Sequence, residues 1–310
     1  MTAAAIDAAL AASPLAGLPD LRWRPGLPTV ASPMRQAVDA DNAIVEAEGI
    51  APVFLKVYHH EVEGFDLDAA WAGTAAAGAL GIGPDARFVL PGHVALAVSF
   101  LAPPWRPAFL GDLARPEVMA AVIDAKRAFH GGAPLARRFD VFAETETLLD
   151  MAQVAGVALP DDIAILAGWS RRAAAAVAAA GSDLRPCHND GSASSVLVDD
   201  NDGVRLVDFD DAGQADPIYD LALLINEASA FGDVWAAGVA AYAGSAEPRL
   251  IERARIYGAA DDIRWGVRGW LLSGLSPRRS VEYLKYGEWR LLRARRALGE
   301  PGFDDRLRRL

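Results

Sequence analysis

The chain has 310 residues, 30 basic against 41 acidic, a net charge of −11 and a single cysteine. The length allows two domains or one large bilobal unit, the acidity argues against a protein that coats nucleic-acid phosphates, and one thiol excludes a disulfide framework or a cysteine-rich zinc site. With 52% hydrophobic and 23% charged residues the chain can bury a core, and every long apolar run contains a charge, a proline or a histidine, so no membrane span is expected.

The N-terminal segment carries Asp7 and no Lys or Arg before Arg22, unlike a secretory signal, so a cytoplasmic location is the default. Residues 1–30 are rich in Ala, Pro and Leu, with a short helix expected before Pro14. Ala43-Ile44-Val45-Glu46-Ala47 and Val53-Phe54-Leu55-Lys56-Val57-Tyr58, linked through Gly49, read as a β-hairpin. Residues 66–80 carry apolar side chains at helical spacing and stop at Gly81-Ile82-Gly83-Pro84. Strands over Arg87–Leu90 and His93–Phe100 follow, separated by Pro91-Gly92, and Pro103-Pro104 breaks the chain. Beyond this point the pattern is mostly helical. Pro116 opens a helix with Val118, Val122, Ala125 and Phe129 on one face, ended by Gly131-Gly132. Pro160-Asp161-Asp162 opens another that runs to Gly181. Val196-Leu197-Val198 and Val204–Val207 flank the turn Asp199-Asp200-Asn201-Asp202-Gly203, a second hairpin, and four or so helices reach the C-terminus. The arginines from Arg290 onward, interleaved with leucines, read as an exposed amphipathic helix rather than a nucleic-acid or lipid contact. The expected fold class is α+β: an antiparallel sheet with one main helix over 1–102, then a mostly helical unit with an embedded hairpin over 103–310.

The densest chemistry surrounds that second hairpin. Asp190 stands just before one arm and Asp208 just after the other, so pairing of the arms brings both carboxylates to one small volume. Neighbouring carboxylates repel unless a cation or a proton sits between them, and all-oxygen donors suit Mg²⁺; a pair of solvated loop acids is the plainer alternative. Lysine is scarce, occurring at Lys56, Lys126 and Lys285, which singles out each one.

The stretch His188-Asn189-Asp190 with Ser195 five residues on, followed by Leu206-Val207-Asp208-Phe209-Asp210, resembles the catalytic hairpin of the aminoglycoside phosphotransferase and choline/ethanolamine kinase superfamily, H-x-D-x₄-N and then hydrophobic-D-F/W-D/E. Asp216-Pro217-Ile218-Tyr219-Asp220-Leu221-Ala222 is similar to its D-P-x-x-D-L-A stretch. Tyr283-Leu284-Lys285-Tyr286-Gly287-Glu288-Trp289-Arg290 resembles the choline-kinase segment that closes the amine pocket. The resemblance runs from about residue 50 to 295. It implies a bilobal protein-kinase-like fold, with a nucleotide-binding lobe over 1–102 and a catalytic and substrate lobe over 103–310. The implied reaction is ATP- and Mg²⁺-dependent transfer of phosphate to a small molecule's hydroxyl.

By motif position the resemblance implies that Asp190 orients or deprotonates the acceptor hydroxyl, with His188 beside it. It implies Asp208 and Ser195 on Mg²⁺, Lys56 on the phosphates, and the backbone of Ser99-Phe100-Leu101 against the adenine. Asp66 or Asp68 falls where a glutamate partner of Lys56 is expected, and Asp220 underpins the catalytic loop. Glu227, Trp265 and Tyr286 match the positions that hold a quaternary ammonium group, with Arg268 near a place that is often aromatic. The implied partner is a small hydroxylated cation, with no nucleic acid and no membrane, and a homodimer is allowed. Three departures stand out: Ser195 replaces an asparagine, the expected phosphate loop over Thr29–Ala43 has no glycine to let backbone amides approach phosphates, and the acid partner of Lys56 is an aspartate. Together they leave open a non-catalytic pseudokinase or ligand-binding protein; a sugar or aminoglycoside acceptor is a third reading.

Overall fold

A computed structural model describes residues 3–32, 34–59, 64–229 and 234–310. The chain opens with α1 (Ala3–Ala11), β1 (Arg22–Pro25), β2 (Ala40–Glu46), β3 (Val53–Tyr58), α2 (Leu67–Ala79), β4 (Ala86–Leu90) and β5 (Ala95–Ser99). The five strands form one antiparallel sheet in the order β1-β2-β3-β5-β4. Period-two alternation in β3 decides what each face does. Val53, Leu55 and Val57 are buried with Ile6 and Leu10 of α1, whereas Phe54, Lys56 and Tyr58 belong to the opposite face. On that face Tyr58, Leu96 and Val98 pack with Ala70 of α2. In the middle of the sheet Lys56 pairs with Asn42 on one side and Leu96 on the other, so a well-braced strand presents its ammonium group. Pro33, in the glycine-free loop, lies outside the described residues; the rest of that loop closes on itself through reciprocal backbone bonds between Val30 and Gln36 of 3.0 and 2.8 Å.

The larger part follows as β6 (Arg106–Pro107), α3 (Leu110–Leu113), α4 (Pro116–His130), α5 (Val141–Val154), α6 (Ile163–Ala180), β7 (Arg185–Cys187), β8 (Val196–Val198), β9 (Val204–Leu206), β10 (Gly213–Ala215), α7 (Pro217–Ala228), α8 (Trp235–Ala243), α9 (Pro248–Leu275) and α10 (Tyr283–Leu298). The predicted hairpin is β8-β9, and β6 joins it as a third strand. Its turn is fixed locally: Asp199 Oδ1 accepts from Asn201 N at 2.9 Å and Gly203 N at 2.7 Å, the side-chain mimicry that makes Asp a turn residue. The 28-residue α9 is the spine, packing against α5, α6, α7, α8 and α10. Its crossing with α10 depends on glycine, since a Cβ on Gly269 would lie 2.6 Å from Gly287 Cα.

The sequence reading leaves β1, β6, α3, α5, β7 and β10 unannounced, while the helices and strands it does give correspond to structural elements. Among the described residues, α6 is long and apolar enough to cross a membrane by length and composition. It carries Arg171 and Arg172 at mid-length, paired with Glu146 at 2.8 Å and Asp304 at 3.0 Å, charges that are costly at a bilayer centre. It also buries Leu166, Trp169 and Ala173 in the core.

Candidate active site

Two short strands, β7 and β8, frame a loop over 188–195 whose backbone is tied down from below. Asp220, fully buried near the start of α7, accepts from the backbone amides of His188 at 3.1 Å and Asn189 at 2.8 Å. The same carboxylate takes Lys126 Nζ at 2.7 Å and meets His130 Nε2 at 2.9 Å. Burial alone would raise the Asp220 carboxyl, but Lys126 and His130 outweigh it and hold it well below the usual carboxylate range. Lys126 Nζ also donates to the Asp190 carbonyl at 2.8 Å, so one buried ammonium links the supporting acid to the residue above it. Asn189, at φ +60°, is kept in the left-handed region by its amide bond to Asp220 and by Asn189 Nδ2 donating to Asp211 O at 2.9 Å.

His188, expected beside Asp190, is hydrogen-bonded into this scaffold. Its Nε2 faces the carbonyls of Val207 and Asp208 at 2.9 and 3.2 Å, so that nitrogen carries the proton. Burial, then the Lys126 charge, lowers its pKa and keeps the ring neutral. The ring lies tilted against Phe209 with centroids 4.3 Å apart, and by its hydrogen bonds it braces Asp208 at φ +70°.

Above the loop, Lys56 meets both acids of Asp208-Phe209-Asp210. Its Nζ donates to Asp208 Oδ1 and, at 2.9 and 3.0 Å, to the two oxygens of Asp210; the Tyr58 hydroxyl donates to Asp210 Oδ1 at 2.7 Å. Burial, then the neighbouring Asp208 charge, pushes the Asp210 carboxyl well above its ordinary value. One ammonium is therefore too little positive charge for two half-buried carboxylates. A hard divalent cation with oxygen ligands fits this deficit, with Asp208 and Asp210 as the residues that would hold it. The expectation that Asp66 or Asp68 pairs with Lys56 is not met. Asp66 caps α2 by accepting from Ala69 N at 2.9 Å, and Asp68 is exposed in the first turn. Ser195 is likewise turned away from a metal role: its hydroxyl donates to Asp190 Oδ2 at 2.8 Å.

Lys56, Asp208 and Asp210 form the polar end of a cavity of about 420 Å³ between the sheet and the helical part. Phe54, Leu96, Val98 and the Ser99-Phe100-Leu101 segment are among its walls. The Ser99 and Phe100 amides are engaged by the carbonyls of Asp85 at 2.8 Å and Pro52 at 3.0 Å, which fixes the segment along the cavity edge. A smaller cavity of about 110 Å³ adjoins it, shared by Asp190, Asp208 and Asp210 with Trp265 and Arg268. The hairpin therefore brings the two predicted aspartates to one volume.

Glu227, Trp265 and Tyr286 are also brought together, around a void of only about 10 Å³. The Trp265 and Tyr286 rings meet edge-on at 6.0 Å. Burial pushes the Glu227 carboxyl up, against the pull of Arg290 and Arg293. A cation is already present: Arg35 Cζ lies 4.0 Å from the Trp265 ring centroid, and its Nη2 donates to Asp190 Oδ1 at 2.8 Å. Arg268, near the position flagged in the sequence, pairs with Asp39 at 2.8 Å. Burial would raise Asp190, but the Arg35 charge and the hydrogen bonds from Ser192 N and Ser195 Oγ hold it well below the usual range. Sequence reasoning gave Arg35, Tyr58 and Asp210 no role. Asp210 occupies the second acidic position of the motif, and Lys126 carried a signal in its rarity, whereas Arg35 sits in a loop with no local pattern.

A profile of the phosphotransferase enzyme family matches residues 30–257. No curated protein matches the sequence. Among solved structures, a choline/ethanolamine kinase family protein from Mesorhizobium loti superposes with a TM-score of 0.77 at 24% identity, covering 98% of each chain. The choline kinase LicA from Streptococcus pneumoniae superposes with a TM-score of 0.71 at 14% identity, over 83% of this chain and 89% of that one. A spectinomycin phosphotransferase in complex with ADP and spectinomycin gives 0.60 at 14% identity, over 96% and 99%. These likenesses show the bilobal protein-kinase-like fold, and the profile match over more than half of the sequence shows that the chain belongs to the phosphotransferase enzyme family.

Proposed function

We propose that this chain transfers the terminal phosphate of Mg-ATP to the hydroxyl of a small organic cation of the choline or ethanolamine class, acting in the cytoplasm. The observation that carries the reading is Lys56 Nζ on Asp208 and Asp210 at the inner end of a 420 Å³ apolar cavity, with Asp190 in the adjoining one. Residues 1–102 would form the nucleotide lobe and 103–310 the catalytic and substrate lobe.

Phosphoryl transfer spreads charge over the phosphoryl oxygens, so catalysis is mainly positioning and electrostatic stabilisation. The apolar walls, with Ser99-Phe100-Leu101 along the edge, suit a nucleobase, and Lys56 suits the phosphates. Asp208 and Asp210 would hold the metal, which when bound neutralises phosphate oxygens. Asp190 is ionised at neutral pH and is held by Ser192 N and Ser195 Oγ, so it can aim and accept the acceptor's hydroxyl proton. Trp265, Tyr286 and Glu227 supply aromatic faces and a carboxylate suited to a compact cation. Likeness to choline and ethanolamine kinases supports the acceptor class, and a LicA structure in complex with AMP supports adenine nucleotide use.

A second reading, a binding protein without turnover, is favoured by Ser195 and Arg35 both engaging Asp190. One experiment separates the two. Protein is mixed with Mg-ATP and a panel of amino-alcohols, sugars and aminoglycosides, and ADP release and phosphorylated product are followed. Acceptor-dependent ADP is expected with an amino-alcohol. Asp190→Asn is expected to lower the rate by about 10²–10⁴-fold with Mg-ATP affinity retained, and Asp208→Ala to weaken Mg-dependent nucleotide binding. Absence of both ADP and phosphorylated product with every acceptor refutes the turnover reading.

A further inference from the structure

We propose that Arg35 determines which acceptors this site admits: its guanidinium fills the cation subsite on Trp265 and Asp190, and an acceptor binds by displacing it. The proposal rests on the acceptor reading above and deepens it.

Arg35 comes from the segment between β1 and β2, yet its contacts lie across the cleft. Its guanidinium sits 4.0 Å from the Trp265 ring centroid and 2.8 Å from Asp190. Its main-chain carbonyl accepts from Ser192 Oγ at 3.2 Å and from Ser194 Oγ. The segment is thus latched at both backbone and side chain onto the loop that carries Asp190. With Arg35 in place both oxygens of that carboxylate are engaged, Oδ1 by Arg35 and Ser192 N, and Oδ2 by Ser195. Two donors already fill Oδ1, so an acceptor hydroxyl gains that oxygen only as the guanidinium withdraws.

Three arginines surround Trp265, and their partners differ. Arg264 and Arg268, at 5.2 and 5.3 Å from the ring, have acids of their own, Asp211 at 2.6 Å and Asp39 at 2.8 Å. Arg35 is closer to the ring, is paired with the acid at the reaction centre, and leaves its buried Nε without a hydrogen-bond partner among the described residues. On its Glu227 and Tyr286 side the void is about 10 Å³, at the lower limit for a single water, so a cation reaches that side of Trp265 only as the arginine leaves, the 110 Å³ cavity on its other side being shared with Asp208 and Asp210. A compact organic cation restores both the charge on Asp190 and the contact with Trp265, whereas a neutral polyol restores neither. The arginine thereby selects for cationic acceptors.

The test uses the intact protein and tetramethylammonium chloride, at ionic strength matched with NaCl and without nucleotide, followed by tryptophan fluorescence and calorimetry. Arg35→Ala is expected to bind the probe about tenfold tighter than wild type, with Arg35→Lys between, because it keeps the charge and loses the planar stack. With Mg-ATP, the KM for choline should fall by a similar factor in Arg35→Ala, while the KM for Mg-ATP stays within about twofold. Unchanged or weaker probe binding in Arg35→Ala overturns the assignment. So does a raised Mg-ATP KM with lowered kcat at constant acceptor KM, the signature of a phosphate anchor. If Arg35→Ala does not fold by circular dichroism, Arg35→Lys and Arg35→Gln decide by the same readout. Tighter probe binding without ADP from any acceptor sinks the turnover reading and upholds the role of Arg35; turnover with no change in probe binding does the reverse.

Discussion

Lys126 is 1% exposed, with its ammonium on Asp220 and on the Asp190 carbonyl. A charge so far from water survives only because Asp220 neutralises it and hydrogen bonds satisfy it. Removing one member leaves the other buried and unpaired, which costs more than the pair itself contributes. Lys126→Met is therefore expected to destabilise the protein by about 3–5 kcal/mol, read as a lower urea midpoint. Adding Asp220→Asn should recover part of that loss, because the stranded charge goes with it. A double variant no more stable than Lys126→Met would show that packing, not charge, sets the cost.

At the scale of elements, legibility in the sequence follows from how local the cause is. The β8-β9 hairpin was readable because Asp199 and Gly203 close it within five residues and Asp190 and Asp208 flank its arms. The helix α4 announced itself by proline, apolar spacing and glycine. By contrast, Arg22-Trp23-Arg24-Pro25 alternates over only four residues, ends in proline and becomes β1 by pairing with β2, and Arg106-Pro107 is a strand only because β8 lies beside it. In the site, Lys56, Asp190 and Asp208 carried local motifs, whereas Arg35 reaches Asp190 across a sequence separation of 155. The α9-α10 crossing has the same non-local character and is testable. A Cβ on Gly269 would meet Gly287 Cα at 2.6 Å, while one on Gly168 of α6 meets nothing within 4 Å. Gly269→Ala is expected to cost about 1–3 kcal/mol through overpacking and to raise the acceptor KM by spreading Trp265 from Tyr286. Gly168→Ala should instead gain about 0.5–1 kcal/mol from helix propensity. Equal urea midpoints for the two variants would contradict the close crossing.

Over the whole molecule, ion pairs stitch the two lobes together along the cleft. Arg35 holds Asp190, Arg268 holds Asp39, Lys56 holds Asp208, and Arg278 Nη2 donates to the Val38 carbonyl at 2.7 Å. Most of the perturbed acids move in one direction. Burial would raise Asp39, Asp190, Asp211 and Asp220, yet neighbouring cations hold all four below their ordinary value. The Arg106 hydrogen bond takes Asp112 down to about 2. Asp210 and Glu227, raised by burial, oppose them. A carboxyl with a depressed folded-state pKa contributes stability that is fully present above its unfolded value, near 4, and is lost as pH falls toward the folded one. The unfolded chain takes up more protons in that window, so acid favours unfolding. The urea midpoint is therefore expected to fall steeply below about pH 4. Asp112→Asn should flatten part of that fall between about pH 4 and 2, because its Arg106 contact no longer depends on a proton. A midpoint as high at pH 3 as at pH 7 would mean that the buried cations do not hold these acids ionised, and the electrostatic closure of the cleft would have to be abandoned.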